Sequence, residues 1–393
     1  MKDLIEAIKM IDKDIEITFD DDTTFYLTKE EWIGEAFFET SEDLSETIND
    51  VIHFLNYKHV KNIGFINKNY IEFTIDYGNT YFIEQFEGKE LNDAREQNEI
   101  YYEIGSISDD FNKLLDLYYS FHYLEPEESF TTIKIYNVDN VIGKSYKESQ
   151  FTTKAIEIVK CILFDLSSKY SINLRLMYLP ESDDEDFDPI YDINESLKHV
   201  NDQTLKTEYD KDLINYYYRA MQMDESEFKY LAFFQVMECI FDEVYLHENI
   251  QDIKQIINSN WFSNYRDDDI TQIIKIIEQY NKNKNDREKL KLVIEKYFKA
   301  NIHDEAYCLV NKEIIELLVS MDLIKNENEF KDIQRFSNFI YDFRCKCTHS
   351  NRAFPFRTTF DNSPKELSNY ITLIKKVSER IIMNYGTVGF KLI

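Results

Sequence analysis

The stretch YDFRCKCTHSN, residues 341–351, closes an amphipathic helical pattern that runs over residues 329–343. A loop follows it, and then one more helical stripe covers residues 365–384. We therefore expect the chain to end in packed helices. Within the stretch, Arg344 and His349 are five positions apart. At a helix end, this spacing brings an arginine and a histidine close enough to act on one anion.

The same helical periodicity extends back to residue 202. The segment from Asp224 to Phe241 is apolar almost all round, which is typical of a buried helix. We predict that Asp224 and Glu227 open it as a capping box. Glu238 lies inside this helix, and a buried carboxylate needs a partner because an unpaired buried charge is costly. The other helices predicted here span residues 210–221, 250–257, 268–279, 286–298 and 304–319.

The first 200 residues have a different pattern, in which short alternating stretches indicate strands between helices. Predicted strands cover a hairpin at 15–28, then 70–77 and 80–86 joined by the turn Gly78-Asn79, and later 131–138 and 172–178. Predicted helices cover residues 2–11, 42–55, 109–122 and 151–170. This order fits one sheet with helices on one side.

The acidic run at residues 181–189, which follows Pro180 and ends at Pro189, predicts a solvated linker. An alternative is that it mimics nucleic acid and covers a basic site. The predicted fold class is therefore α+β. A mixed α/β domain at residues 1–200 precedes an all-α domain at residues 207–393.

Charge is distributed unevenly along the chain. Its 393 residues have a formal net charge of −29, which argues against a general nucleic-acid binder. Residues 331–393, however, contain 11 Lys or Arg against 5 Asp or Glu. The basic segment is thus the one that contains Arg344 and His349. A hydrophobic content of 43% excludes a disordered chain, and the length favours two domains.

Composition also indicates the cellular compartment of the protein. The cysteines are few and lack a disulfide pattern, which indicates reduced thiols: Cys161, Cys239, Cys308, Cys345 and Cys347. The first residues, MKDLIEAIKMIDKD, lack the apolar core of a signal peptide, and no run of about 18 apolar residues occurs. We expect a cytoplasmic protein that does not enter a membrane.

The chemistry of the Arg344 and His349 pair suits RNA cleavage without a metal or other cofactor. Histidine changes its charge near neutral pH and moves protons, while arginine binds phosphate and stabilises charge in a transition state. The 2′-hydroxyl of RNA is then the nucleophile, so DNA is resistant and the product is a 2′,3′-cyclic phosphate. The residues expected to contact the RNA backbone are Lys346, Asn351, Arg352 and Arg357, and the supporting carboxylates are Glu238 and Asp342.

Two other interpretations of the stretch remain open. Basic side chains are common at helix C-termini because they interact favourably with the helix dipole, so Arg344 and His349 are structural in the first. In the second, Cys345, Cys347 and His349 bind a metal, although the sequence offers no evident fourth ligand. In the first 200 residues we find no catalytic constellation, and we interpret His53 and His59 as ordinary surface or core histidines.

The order of features in residues 207–393 resembles the HEPN superfamily. These features are a buried helix with an internal Glu238, an aromatic-Asp-Phe-Arg344-x4-His349 motif near the end of a later helix, and a closing amphipathic helix. The resemblance implies a helical bundle that forms a homodimer, whose two Arg/His pairs make one composite RNase site. It implies a toxin-like or abortive-infection endoribonuclease in antiphage defence. Many members have Asn, Asp or His directly after the arginine, where this chain has Cys345.

The resemblance leaves alternatives open. A HEPN-like bundle without catalysis would serve as a dimerisation or RNA-binding module, and an unrelated helical interaction protein would use the pair structurally. If the family assignment is right, the N-terminal domain is a sensor, a regulator or a docking module, and a phage-derived trigger or a regulatory partner acts on it.

Overall fold

The computed structural model divides the chain into two compact units, Met1–Thr207 and Glu208–Ile393. The residues that the structure describes are 2–11, 13–20, 23–29, 35–40, 44–60, 62–77, 91–92, 100–119, 131–139, 148–170, 172–179, 209–224, 226–282, 285–299, 305–326, 333–348 and 364–385. Within these ranges the first unit contains strands and helices, and the second contains helices. The predicted α+β class is confirmed.

The first unit contains ten described strands and four described helices. The strands are β1 Glu16–Phe19, β2 Thr24–Thr28, β3 Ala36–Glu39, β4 Lys58–Val60, β5 Gly64–Ile66, β6 Tyr70–Tyr77, β7 Leu91–Asn92, β8 Tyr101–Ser106, β9 Thr131–Tyr136 and β10 Leu174–Leu176. The helices are α1 Lys2–Ile11, α2 Leu44–Leu55, α3 Asp109–Tyr119 and α4 Glu148–Tyr170.

These strands form two antiparallel sheets, so the expectation of a single sheet was wrong. One sheet has the order β1-β2-β3, and the other has the order β4-β5-β6-β9-β8-β7, with β10 also paired to β6. The hairpin predicted at residues 15–28 is confirmed, with Glu16 opposite Thr28. The strand predicted at residues 172–178 is shorter than expected. The turn Gly78-Asn79, the strand at residues 80–86 and the acidic run at residues 181–189 lie outside the described residues.

The centre of the larger sheet has one apolar and one polar face. Ile71, Phe73 and Ile75 of β6 are buried on the first face, and they alternate with Tyr70, Glu72 and Thr74 on the second. The two carboxylate oxygens of Glu72 accept four hydrogen bonds. The hydroxyls of Tyr70 and Ser108 donate at 2.5 Å each, and the Thr132 hydroxyl and the Ser108 backbone N–H donate at 2.9 Å each. A carboxylate with these donors is stable in the core even though burial raises its pKa.

The second unit contains eight described helices. They are α5 Lys211–Met221, α6 Glu227–Glu238, α7 Phe241–Ile257, α8 Asp267–Lys282, α9 Asp286–Lys299, α10 Glu305–Ser320, α11 Ile333–Thr348 and α12 Pro364–Asn384. Helix α6 packs against α5, α11 and α12, and α9 packs along α11 and α7. The carboxyl end of α11 is therefore supported by both α6 and α9.

Helix α6 differs from its prediction in three respects. Its N-cap is Ser226, whose side chain accepts a hydrogen bond from the Lys229 N–H, and not Asp224. Phe228, in the first turn of α6, is 65% exposed. The helix ends at Glu238, and α7 begins at Phe241. The helix predicted over residues 250–257 is thus the second half of a longer one.

Candidate active site

Aromatic packing fixes the position of helix α11. The ring of Phe343 stacks on Tyr370 of α12 at 3.7 Å between centroids and meets the edge of Tyr230 of α6 at 4.7 Å. The buried Tyr230 hydroxyl donates a hydrogen bond to the Ile340 carbonyl at 2.8 Å. Ile340 and Phe343 are buried, whereas Phe339 is partly exposed. These contacts hold the turn that precedes Arg344 against two neighbouring helices.

Arg344 is paired with Glu238, the carboxylate for which the sequence required a partner. Its Nη2 donates a hydrogen bond to Glu238 Oε1 at 3.2 Å. The side chains of Arg344 and Glu238 are 22% and 35% exposed, so water reaches both. The guanidinium carbon also lies 5.7 Å from the ring centroid of Phe234, within cation–π range. Arg344 of α11 is therefore held by an acidic and an aromatic side chain that lie one helical turn apart on α6.

The electrostatics of this pair keep Arg344 charged. Burial opposes the charge on Arg344, but the charge and hydrogen bond of Glu238, together with the nearby Tyr341 and Cys345, outweigh burial, and the pKa of Arg344 is raised above its ordinary value. Burial raises the pKa of Glu238, the nearby Asp286 raises it further, and Arg344 offsets part of this effect. Arg344 therefore stays positively charged, whereas burial makes the ionised form of Glu238 less favourable than it is in water.

Asp342, predicted as a supporting residue, binds a different arginine. Its Oδ1 lies 2.6 Å from Nη2 of Arg287, which is in the first turn of α9. Nη1 of Arg287 donates to Asn338 Oδ1 at 2.7 Å, one helical turn earlier on α11. The guanidinium carbons of Arg287 and Arg344 lie 4.7 and 5.9 Å from the ring centroid of Tyr341. Sequence reasoning missed Arg287, because its contacts span 51 and 55 positions.

The remaining predicted residues are only partly placed. Lys346 is half-buried in the last turn of α11. The Thr348 hydroxyl, at the end of the same helix, donates to the Arg344 carbonyl at 3.1 Å. His349, Asn351, Arg352 and Arg357 lie outside the described residues, so the structure gives the arginine of the predicted pair and not its histidine.

The described part of the stretch does not favour the metal-binding interpretation. Cys345 is buried, and burial raises the pKa of the Cys347 thiol to about 12. Two residues apart on a helix, the two thiols also project about 200° from each other. Within the described ranges, no group of three or more His, Cys, Asp or Glu side chains is placed to hold a metal ion.

Taken together, the fold and the site define an α+β protein whose helical unit presents a half-buried arginine at the end of α11. A scan of protein-family models and searches of curated proteins and solved structures found no match to this chain. In the part of the chain that the structure describes, no helix is both long and apolar enough to cross a membrane.

Proposed function

We propose that this protein is a metal-independent endoribonuclease that uses Arg344 and His349. Three features support the proposal: the fixed charge of Arg344, its partial exposure, and the basic composition of the segment around it. Among these, the partly exposed Arg344 held by Glu238 is the observation that carries the proposal. A cation fixed by a carboxylate and an aromatic ring is preorganised to stabilise charge that develops on a phosphate.

The reaction needs one proton acceptor and one fixed cation. His349 takes the proton of the 2′-hydroxyl, and the 2′-oxygen bonds to the adjacent phosphorus. Arg344 binds the non-bridging oxygens, on which negative charge grows in the transition state. The bond from phosphorus to the 5′-oxygen then breaks, and this oxygen takes up the proton that His349 received. The products are a 2′,3′-cyclic phosphate and a 5′-hydroxyl, and no metal or cofactor enters this sequence of steps.

The proposed enzyme is a cytoplasmic homodimer, and an exposed apolar stripe supports a dimer surface on α8. Ile270, Ile274 and Ile277 are exposed at i, i+4 and i+7 of this helix. The end of α8 at Lys282 is four residues before Asp286, which acts electrostatically on Glu238. We propose a dimer through this stripe, which belongs to the same helical unit as Arg344. Ile274→Glu should yield monomers in light scattering, while Val319→Glu, at an exposed position of α10, should not. Dimers of both variants would contradict this surface.

The proposed biological role is antiphage defence of the abortive-infection or toxin type, with the first unit as a sensor or regulator. In this scheme a phage-derived trigger or a regulatory partner acts on residues 1–200. A chain limited to residues 209–393 should retain RNA cleavage but lose its regulation. If this chain folds and is inert on every RNA tested, the modular scheme fails.

The direct experiment compares the wild type, Arg344→Ala and His349→Ala in cell growth and in RNA cleavage with EDTA present. Both variants should fold, lose toxicity and lose cleavage by at least about 100-fold, the order expected when a general base or an electrostatic stabiliser is removed. Equal behaviour of the three proteins would contradict the proposal.

A second candidate is a HEPN-like module that binds or dimerises without catalysis. The observation that favours it is the Arg344–Glu238 ion pair itself, because an arginine already bound to a carboxylate is also a common structural feature. For this candidate, Arg344→Ala would lower stability or change the oligomer size while RNA cleavage stays at background in all proteins.

A further inference from the structure

We propose that Arg287 is a second phosphate-binding residue of the same site, which positions a single-stranded RNA next to the scissile phosphate. The inference rests on the proposed function and adds the class of substrate and a residue that the sequence did not single out. Arg287 is a positioning residue in this account, since Arg344 remains the cation at the reacting phosphate.

The contacts of Arg287 place it on the same surface as Arg344. Both guanidinium groups lie over the ring of Tyr341, at 4.7 and 5.9 Å from its centroid. Because Tyr341 and Arg344 are three residues apart on α11, they lie on one face of that helix. Arg287 reaches this face from α9, so two helices contribute one cation each.

Arg287 is held in place but has hydrogen-bonding capacity to spare. Its Nη2 and Nη1 bind Asp342 and Asn338 at 2.6 and 2.7 Å, which fixes the plane of the guanidinium. A guanidinium has five N–H donors, and these two bonds leave others for a phosphate oxygen. The side chain of Arg287 is 35% exposed and that of Asp342 is 48% exposed, so a strand in solution reaches both.

An aromatic ring contacted by two arginines suits a single strand more than a duplex. Cations that follow the backbone, combined with aromatic rings on which bases stack, are the usual means of binding single-stranded RNA. A-form duplexes are instead recognised by shape across the minor groove. Tyr341 is partly exposed and adjoins both cations. Two arginines around one ring can therefore bind neighbouring phosphates of one strand, with Arg344 at the phosphate that reacts.

The two carboxylates give the inference a distinctive consequence. Glu238 and Asp342 each neutralise one of the arginines in the free protein. A phosphate bound by the remaining donors of Arg287 is therefore repelled by the neighbouring Asp342 carboxylate. Removing the charge of Asp342 should therefore strengthen RNA binding. If the Arg287–Asp342 pair served only to hold α9 against α11, the same change should loosen α11 and weaken binding.

The test uses the full chain and a labelled 2′-O-methyl oligouridine, which is single-stranded and lacks the nucleophilic hydroxyl. Arg287→Ala should raise the Kd about 5- to 20-fold and reduce the slope of log K against log salt by about 0.7, as expected for one lost phosphate contact on a single strand. Asp342→Asn should lower the Kd about 2- to 5-fold. With cleavable RNA, Arg287→Ala should raise KM more than it lowers kcat.

Arg335→Ala is the matched control. Arg335 is also on α11, its guanidinium carbon lies 5.5 Å from the Phe339 ring centroid, and its Nη2 donates to the Leu323 carbonyl at 3.2 Å. It should leave the Kd and the salt slope unchanged, and Arg287→Lys, which keeps the charge, should retain most of the affinity. If Arg287→Ala fails to fold, Asp342→Asn and Arg287→Lys still decide the question through the direction of the change in Kd.

The outcomes separate this inference from the proposed function. An Arg287→Ala protein that folds and binds like Arg335→Ala overturns the role of Arg287, as does weaker binding by Asp342→Asn. The proposed function survives both results if Arg344→Ala still abolishes cleavage. A wild-type protein that neither binds nor cleaves RNA overturns the proposed function and this inference with it.

Discussion

Glu238 and Arg344 are 106 positions apart in sequence and form one ion pair, with Nη2 3.2 Å from Oε1, between α6 and α11. The pair joins the helix at the centre of the second unit to the helix that bears the candidate catalytic arginine. The carboxylate is held where burial raises its pKa, which means that its charged form costs free energy in the folded protein. The ionised Glu238 fixes the position of the Arg344 guanidinium.

The pH dependence of Glu238→Gln tests this view. Because the folded pKa of Glu238 is raised above its ordinary value near 4.5, the folded state binds the proton more tightly than the unfolded state. Protonated Glu238 therefore adds to the free energy of unfolding at pH values below its ordinary pKa. This contribution is lost as the pH rises through the raised pKa of the folded state. The wild type should therefore lose stability relative to Glu238→Gln between pH 4 and pH 7, by less than about 1 kcal/mol because the side chain is partly exposed. Urea unfolding of both proteins at the two pH values measures this, and a wild type that gains stability relative to the variant would refute it.

A polar residue at position 345 should destabilise the bundle. The Cys345 side chain is buried in the interior of the second unit, so a polar side chain at this position would be removed from water. Cys345→Asn should lower the free energy of unfolding by about 1–3 kcal/mol, the cost of burying an amide that lacks partners. The rate of RNA cleavage per folded molecule should not rise. Calorimetry and single-turnover kinetics measure the two effects, and a stable variant with faster cleavage would disprove the assignment of position 345 to the core.

Two glycines of the larger sheet should respond to alanine in opposite ways. Gly64 has φ +144° and a Cβ there would overlap the carbonyl oxygen of Glu72, so Gly64→Ala should destabilise the first unit by more than about 2 kcal/mol. Around Gly105, no atom of the described residues beyond its chain neighbours lies within 4 Å of the Cβ position. Gly105→Ala should stabilise by about 0.5–1 kcal/mol, since alanine loses less backbone entropy in a strand. Thermal melts of the two variants check this, and equal changes in Tm would contradict it.

The long periodic elements were predictable from sequence because their signal is local. Helices α1, α2, α4 and α12 and the hairpin β1–β2 occur close to the predicted positions. The strands β3, β4, β5 and β8 were missed because most are three or four residues long, which is too short for an alternating pattern to differ from chance. The end of α6 at Glu238 was also missed, since no proline or glycine marks the break.

The contacts of the site were predictable from sequence only where the chemistry of a single residue required a partner. A buried carboxylate demanded a partner, and Glu238 has one in Arg344. The pairing of Arg287 with Asp342 had no local signal, and neither did that of His53 Nε2 with Asp110 Oδ2 at 2.6 Å across α2 and α3. Such pairs depend on how helices pack, and packing is set by many residues distant in sequence.

The most direct measurement of the central claim is the chemical identity of the cleavage product. Purified wild-type protein should cut a single-stranded RNA in EDTA and leave a 2′,3′-cyclic phosphate, detected by mass spectrometry. The same strand with 2′-deoxyribose at every position should stay intact, and Arg344→Ala and His349→Ala should form no cyclic phosphate above background. Cleavage of the deoxy strand, or an undiminished cyclic phosphate from either variant, would contradict the assignment of these two residues to RNA cleavage.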